Sequence, residues 1–171
     1  MFNTTPINSL QQNPFSAIGE QWMLVTAMRD GKPNTMTASW GGLGVLWFKN
    51  VATIYVRPQR YTHEFLDASD KFTLSFLPEK YRDALTLCGK QSGRDGDKIA
   101  QAGLTAVIDG DCAYFQEAEL VMVCRKIYRS KLDPAGFIDG KIDTNYPKKD
   151  YHTVFIGEIE ICLKKSPSAP S

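Results

Sequence analysis

"NTMTASWGGLG", residues 34–44, sets small and hydroxylated side chains beside a tryptophan and three glycines. A core strand would carry more Val, Ile or Leu, and a loop would not set Trp40 against Gly41 and Gly42. Read as a strand, the stretch sends Thr35, Thr37 and Ser39 to one side and Met36, Ala38 and Trp40 to the other, because side chains alternate along extended backbone. The preceding residues supply its partner. WMLVTAM, 22–28, reads as a buried strand, and in RDGKP, 29–33, Asp-Gly makes a hairpin turn that Lys-Pro closes. Two readings of 34–44 stay open. Small residues suit a tight bend in a barrel strand, and they equally suit a surface where a flat ligand approaches the main chain.

Onward from Gly44 the pattern stays β. The glycine-rich stretch 41–44 leads to VLWF, and Lys49-Asn50 reads as a second turn. VATIYV, 51–56, is a strand by its Val, Ile and Tyr content, and FTLSFL, 72–77, alternates Phe72, Leu74 and Phe76. AYFQEAELVMVCRKIYRS, 113–130, is mostly strand, but Leu120, Met122, Cys124 and Ile127 do not keep one parity, which predicts a bulge near Arg125. In HTVFIGEIEICLKK, the last strand, Val154, Ile156, Glu158, Glu160 and Cys162 are placed on one face. Helices enter as insertions. One follows Pro58 with Phe65 and Leu66 turned inward, one runs from Pro78 to Gly89, and a short one stops at Gly103. Residues 1–20 read as poor in regular structure, 1–14 as an arm, 1–165 as a single domain and 166–171 as a flexible tail. Strands at short spacing with inserted helices predict a mainly β fold, a β-barrel with α insertions and incomplete closure. A barrel is preferred to a sandwich because closure removes exposed edges.

Composition excludes several classes. Of 171 residues, 43% are hydrophobic and 23% charged, with a net charge of +1 and no basic run, so nucleic acid is not an expected partner. Apolar runs are too short for a membrane span, and no basic-then-apolar leader opens the chain, so a cytoplasmic location is expected. Four cysteines without a C-x-x-C pair, and only two histidines, argue against zinc; the thiols read as small buried hydrophobes. There is no phosphate-binding G-x-x-x-x-G-K-[ST] loop, no G-x-G-x-x-G and no G-x-S-x-G. A cofactor that carries the chemistry is the remaining route.

Two further patches bear on that route. RPQRYTHEF places Arg57, Arg60, Tyr61 and Thr62 at a strand end and helix start, where N–H groups and guanidinium forks suit phosphate oxygens. A solvated helix start with surface ion pairs is the plain alternative. CGKQSGRDGDK, 88–98, holds two lysines, an arginine and a serine among three glycines, as a phosphate-reaching loop or an ordinary flexible one. An isoalloxazine has heteroatoms along one edge for main-chain groups and an apolar edge for residues such as Met36 and Trp40.

The three patches in this order resemble the flavin reductase-like family of FMN-binding split β-barrels, which includes flavoredoxin-type proteins. The likeness rests on WMLVTA, NTMTASWGGLGVLW, YVRPQRYT, FTLSF, SGRDGDK and HTVFIGEI, and spans about residues 14–163. The resemblance implies a homodimer that binds FMN non-covalently near the subunit interface. It implies that Thr35, Met36, Thr37, Ala38, Ser39 and Trp40 meet the ring and ribityl chain, largely through backbone. Arg57, Arg60, Tyr61 and Thr62 would serve the phosphate, and Cys88, Gly89, Lys90 and Gln91 would bring a loop to the flavin, with Lys90 the candidate cation beside the ring. No acid or base is named by the resemblance, in keeping with hydride chemistry, where positioning dominates. The expected activity is an FMN-dependent oxidoreductase. It would take electrons from NADH, NADPH or a protein donor and pass them to a flavin, an iron complex or a redox partner protein. A flavoredoxin-type carrier without its own small substrate, and a flavin-storing or structural barrel, are the alternatives.

Overall fold

The computed structural model describes residues 1–166. The chain opens with a short strand, Phe2–Thr4 (β1), which pairs with the far end of the chain in the register Phe2↔Lys165. Pro14–Gly19 (α1) follows. Asn13 caps it by accepting the Phe15 N–H, and Pro14 occupies the first turn, where a missing donor costs nothing. The N-terminal segment is therefore more ordered than its polar composition predicts. Of the expected tail, residues 167–171 lie outside the described residues.

Met23–Arg29 (β2) and Lys32–Ala38 (β3) form the expected hairpin, with Asp30 and Gly31 at φ 51° and 73° making its two-residue turn. The glycines then form a strand of their own, Gly41–Leu46 (β4), paired with Lys49–Val56 (β5). The reversal between them falls on Trp47 and Phe48, at φ 52° and 58°, not on Lys49-Asn50 as the sequence suggested. Two aromatics in the left-handed region defeat the usual Asn-Gly signal.

Tyr61–Ala68 (α2), Lys71–Phe76 (β6), Arg82–Lys90 (α3), Lys98–Gln101 (α4), Ala106–Asp109 (β7), Cys112–Phe115 (β8), Leu120–Lys131 (β9) and Thr153–Lys165 (β10) complete the order. The main sheet runs β3-β2-β6-β9-β10-β5-β4, and β7 pairs only with β8. Its two edges, β3 and β4, are joined by Ser39 and Trp40 but are not hydrogen-bonded to each other. The barrel is thus split where the chain crosses from one edge to the other.

Two cores explain the strand patterns. Met23, Val25, Met36, Ile54, Phe72, Met122 and Phe155 meet inside the barrel, closed on one side by Phe65 and Leu66 of α2. Leu24, Val121 and Val123 face outward against Leu85 and Cys88 of α3 and Tyr114 of β8. Both faces of β2 and β9 are buried, so neither shows clean alternation. All four cysteines are buried and unpaired.

The bulge expected near Arg125 sits at Ile127, where the register steps from Tyr128↔Ile156 to Lys126↔Gly157. A second irregularity leaves Glu160 unpaired between Ile159 and Ile161. That extra residue turns Cys162 onto the core side with Phe155, not onto the face of Val154 and Ile156 where unbroken alternation put it.

Gly157 lies where β10 crosses Phe72: a Cβ there would stand 2.7 Å from the ring and 2.8 Å from Cys124 Cβ. Gly157→Ala is expected to lower unfolding stability by about 2–3 kcal/mol, as overpacking does in cores. Gly42→Ala, with nothing within 4 Å, is the neutral control. Urea unfolding midpoints measure both, and equal midpoints would contradict the close approach.

Candidate functional site

The split edge of the barrel opens into a groove. At its centre a crevice of about 170 Å³ is lined by Met36 to Trp40 together with Tyr55, Arg57, Arg60 and His152. Toward α2 it passes, through the shared Met36, Arg57 and Arg60, into a hollow of about 380 Å³ that adds Tyr61, Thr62, Lys90, Gln91, Ser92 and Lys98. Toward α1 it passes, through the shared Ser39, Trp40, Tyr55 and His152, into a hollow of about 480 Å³. β3 pairs with β2 alone, so the backbone groups on its outer edge are free for a ligand in the crevice.

The α2 end is cationic. Arg60 is the N-cap residue of α2 but supplies no side-chain cap; the His63 N–H donates to the Arg60 carbonyl at 2.9 Å, and the N–H groups of Tyr61 and Thr62 are left open. Its guanidinium donates to the Gly89 carbonyl at 2.6 Å, and burial, then the nearby Arg57 charge, pulls its pKa below the usual arginine value. Lys98 is buried, and its Nζ donates to the carbonyls of Cys88 and Gln91 at 3.0 Å each; burial lowers its pKa as well. Among the described residues neither Arg60, Lys90 nor Lys98 forms an ion pair. A buried Lys98 and a half-buried Arg60 without carboxylates, joined by an exposed Lys90 beside a helix start with two open N–H groups, are a chemistry that suits an anion such as phosphate. The loop that carries them is held by Glu64, which takes both Arg94 and Arg29, while Arg94 lies 4.6 Å over the Tyr61 ring.

The other end is neutral and aromatic, and its wall is a segment that no sequence pattern marked. Residues 132–152 leave β9, make two 3₁₀ turns at Pro134–Gly136 and Gly140–Asn145, and return to β10 as a strap. Arg57 pins this strap: its Nη1 donates to Asp150 Oδ2 at 2.6 Å, its Nη2 to the Asn145 carbonyl at 2.9 Å, and it lies 5.0 Å over the Tyr146 ring. Gln59 donates to the same Asp150 oxygen, and these bonds depress the Asp150 carboxyl to a pKa of about 2. The Tyr146 hydroxyl sits 2.7 Å from His152 Nδ1, and the His152 ring packs 5.2 Å from Trp40. Burial, then the positive Arg57, lowers the His152 pKa to about 4.

Of the residues singled out from the sequence, Met36, Thr37, Ala38, Ser39, Trp40, Arg57, Arg60, Tyr61, Thr62, Lys90 and Gln91 all line the groove. Lys90 stands at the cationic end with Arg60 and Lys98. Gly89 contributes its carbonyl to Arg60. Two side chains are turned away. Thr35 is buried with its hydroxyl on Thr26 and the Val25 carbonyl, and Cys88 is fully buried in the outer core, where burial raises its thiol pKa. Arg57 faces the groove, but its guanidinium is committed to the strap. Tyr55, Tyr146 and His152 also line the groove and were not singled out from the sequence, while Gln59, Ser92 and Lys98 line it from within the two flagged patches. Lys98 lay inside a flagged loop; His152 and Tyr146 carry no local motif.

A depressed imidazole pKa gives stability a definite pH dependence. His152 titrates near 4 in the fold and near 6.5 when unfolded, so between those values the unfolded chain binds more protons. Its contribution is complete above about pH 6.5, falls as pH drops toward 4, and is lost below it. The full swing is of order 3 kcal/mol. His63, also lowered by burial, acts in the same direction. His152→Gln is expected to flatten the fall in urea midpoint between pH 7 and pH 4; an unchanged slope would remove His152 as its source.

Comparison with known proteins identifies the family. The model of the flavin reductase like domain matches residues 15–169. A comparison with curated protein sequences finds no significant match. Among solved structures, an FMN-binding domain of a flavin reductases-like enzyme from Shewanella baltica OS155 superposes with a TM-score of 0.70 at 17% identity, over 96% of this chain and 77% of that one. The flavoredoxin of Desulfovibrio vulgaris (Miyazaki F) gives 0.67 at 23% identity, over 98% and 79%. An NADH:FAD oxidoreductase of Streptomyces globisporus C-1027 gives 0.65 at 18% identity, over 85% and 75%. At such identities the structures share the fold. The match to the domain model covers nearly the whole chain, and the chain belongs to the flavin reductase-like family.

Proposed function

We propose that this protein is an FMN-dependent oxidoreductase that takes electrons from NADH, NADPH or a protein donor and passes them on. The observation that carries the reading is the polarity of one continuous groove. Its α2 end holds Arg60 and Lys98 without carboxylates; its middle is a free strand edge with small side chains; its far end is aromatic. A molecule with a phosphate at one end and a flat heterocycle at the other matches that sequence of surfaces, and FMN is such a molecule. The residues fit it: Arg60, Lys98, Thr62 and the open N–H groups of α2 would hold the phosphate, and the Met36–Trp40 segment would meet the ring through main-chain groups.

When bound, FMN supplies hydride and single-electron uptake and release. The chain's part is to hold the phosphate, orient the ring edge along β3 and keep water from it with Trp40, Tyr55 and His152. The protein is proposed to act as a homodimer. In support, the β4–β5 hairpin presents Phe48 fully exposed and Trp47 and Val45 largely so, an apolar tip that a second copy would cover; sedimentation of the purified chain reads this. The solved flavoredoxin structures of the same fold favour a second reading, an electron carrier that turns over no small substrate.

Arg60→Ala is expected to weaken FMN binding tenfold or more while changing riboflavin binding less than twofold, because only FMN carries the phosphate. Equal losses for both ligands would take Arg60 out of the phosphate site. An anaerobic spectrum tests the wider reading. The purified or reconstituted protein is expected to show flavin bands that bleach with NADH or NADPH. Bands that persist with both favour the carrier, and no uptake of FMN at micromolar protein would overturn the proposal.

A further inference from the structure

Asn34 is a polar residue in an apolar place. On β3 it shares a side with Met36 and Ala38, both of the inner core, and it is only 5% exposed. A carboxamide withdrawn from water needs partners, and a leucine of similar size would suit those neighbours better. Asn34 does not line the groove. It stands behind the cationic hollow, between the first turn of α2 and the 88–98 loop.

The two ends of its amide have different neighbours. Nδ2 donates to the Thr62 hydroxyl at 2.8 Å, across 28 residues of chain. Oδ1 faces Gly93, where an added Cβ would collide with that oxygen and stand 3.2 Å from the Tyr61 ring. Gly93 thus lets the loop close over the amide, and the closed loop keeps the amide on Thr62. Thr62 is 1% exposed and lines the hollow with Arg60, Lys90 and Lys98. Among the described residues its hydroxyl has one partner, Asn34 Nδ2, from which it accepts. A hydroxyl that accepts from nitrogen keeps its own proton to give. With a lone pair engaged from behind, that proton is left for a group in front, where the cations stand.

Resting on the FMN reading, we infer that Asn34 is a positioning residue for the phosphate end: by donating to Thr62 it fixes that hydroxyl as a donor to a phosphate oxygen, and Gly93 keeps Asn34 in that pose. An ionised phosphate oxygen is an acceptor, so a hydroxyl already turned to donate adds a charge-assisted bond without reorienting. A hydroxyl with no donor behind it is free to turn elsewhere and gives part of that bond away. Asn34 itself touches no ligand. The device serves the phosphate and not the ring, and so sets part of the margin by which FMN is preferred to riboflavin.

Fluorescence titration of the purified chain with FMN and with riboflavin tests this, with urea midpoints reporting the fold of each variant. Thr62→Val keeps the shape and removes the hydroxyl, and is expected to weaken FMN about tenfold and riboflavin less than about twofold. Thr62→Ser keeps the hydroxyl and is expected to stay within about threefold of the parent chain for both ligands. Asn34→Leu is expected to weaken FMN about fivefold with riboflavin changed less than about twofold. In the Thr62→Val chain the same change is expected to cost FMN less than about a further twofold, because the bond it serves is already gone. Gly93→Ala, which displaces Asn34 from the loop side, is expected to follow the same pattern, and decides the matter if Asn34→Leu does not fold. Equal losses for the two ligands, or losses that multiply with that of Thr62→Val, would overturn the inference. FMN binding indifferent to Thr62→Val overturns it as well and leaves the FMN reading standing. A parent chain that takes up no FMN overturns that reading, and the inference with it.

Discussion

A half-buried guanidinium and a buried ammonium with no carboxylate beside them set the terms for the rest of this structure. Carbonyl oxygens of Gly89, Cys88 and Gln91 meet part of the need of Arg60 and Lys98, but a carbonyl dipole does not neutralise a unit charge. The lowered pKa of each records that debt. An acidic side chain at this point would have settled it and closed the site. Instead a carboxylate of α2, Glu64, is taken by Arg29 of β2 and by Arg94, and Arg94 fastens the 88–98 loop over the Tyr61 ring. The loop is thereby fixed and its lysines are left over. β3, the start of α2 and the end of α3 all converge on this point, so the site is a product of the fold's main junction and not an ornament on its surface.

Two arginines three residues apart divide the groove between them. Arg57 and Arg60 read alike in the sequence, as a pair of forks at a helix start. In the fold they differ by what faces them. Arg57 meets Asp150, the Asn145 carbonyl and the Tyr146 ring, and so spends its charge on holding the strap. Arg60 meets one carbonyl and no acid. The first builds a wall and the second is left free for the proposed phosphate. Through Tyr146 the wall reaches His152, and through His152 it reaches Trp40. One ion pair at the centre of the groove therefore governs the shape of its neutral end.

The sequence carried the barrel and most of the groove because both are written in local patterns. Asp30-Gly31 marks its own hairpin, the small residues of β3 mark the thin strand at the sheet's edge, and the broken parity of 120–127 marks a bulge. The rest was illegible for physical reasons. Trp47 and Phe48 adopt a turn conformation that their side chains disfavour, so nothing in their identity announces it. Glu160 is extra only relative to its partner strand, which a single strand's alternation does not reveal. His152 and Tyr146 acquire their relation through a strap whose path is set by Arg57, 93 residues from Asp150 in the chain. Thr35 and Thr37 look like ligand-facing hydroxyls, but the protein consumes both, on Val25 and Leu85 carbonyls. Polar residues in a strand report an unmet hydrogen bond without saying who will meet it.

An open sheet edge is a hazard that folds usually blunt with charge, proline or a covering element. β3 has Pro33 near its start, α3 packed against its outer face through Thr37, and the groove along its free edge. Closing the barrel by pairing β3 with β4 would have removed the hazard outright. It would also have removed the row of unpaired main-chain groups beside Tyr55 and Arg60, and with it a stretch of the groove suited to the edge of a flat heterocycle. The three glycines of β4 keep that facing edge thin, and Ser39 and Trp40 bridge the gap without filling it. The split is thus the one place where the sheet's own hydrogen-bonding requirement and the proposed ligand's coincide, which is why the small residues, the glycines and the acid-free cations all gather around it.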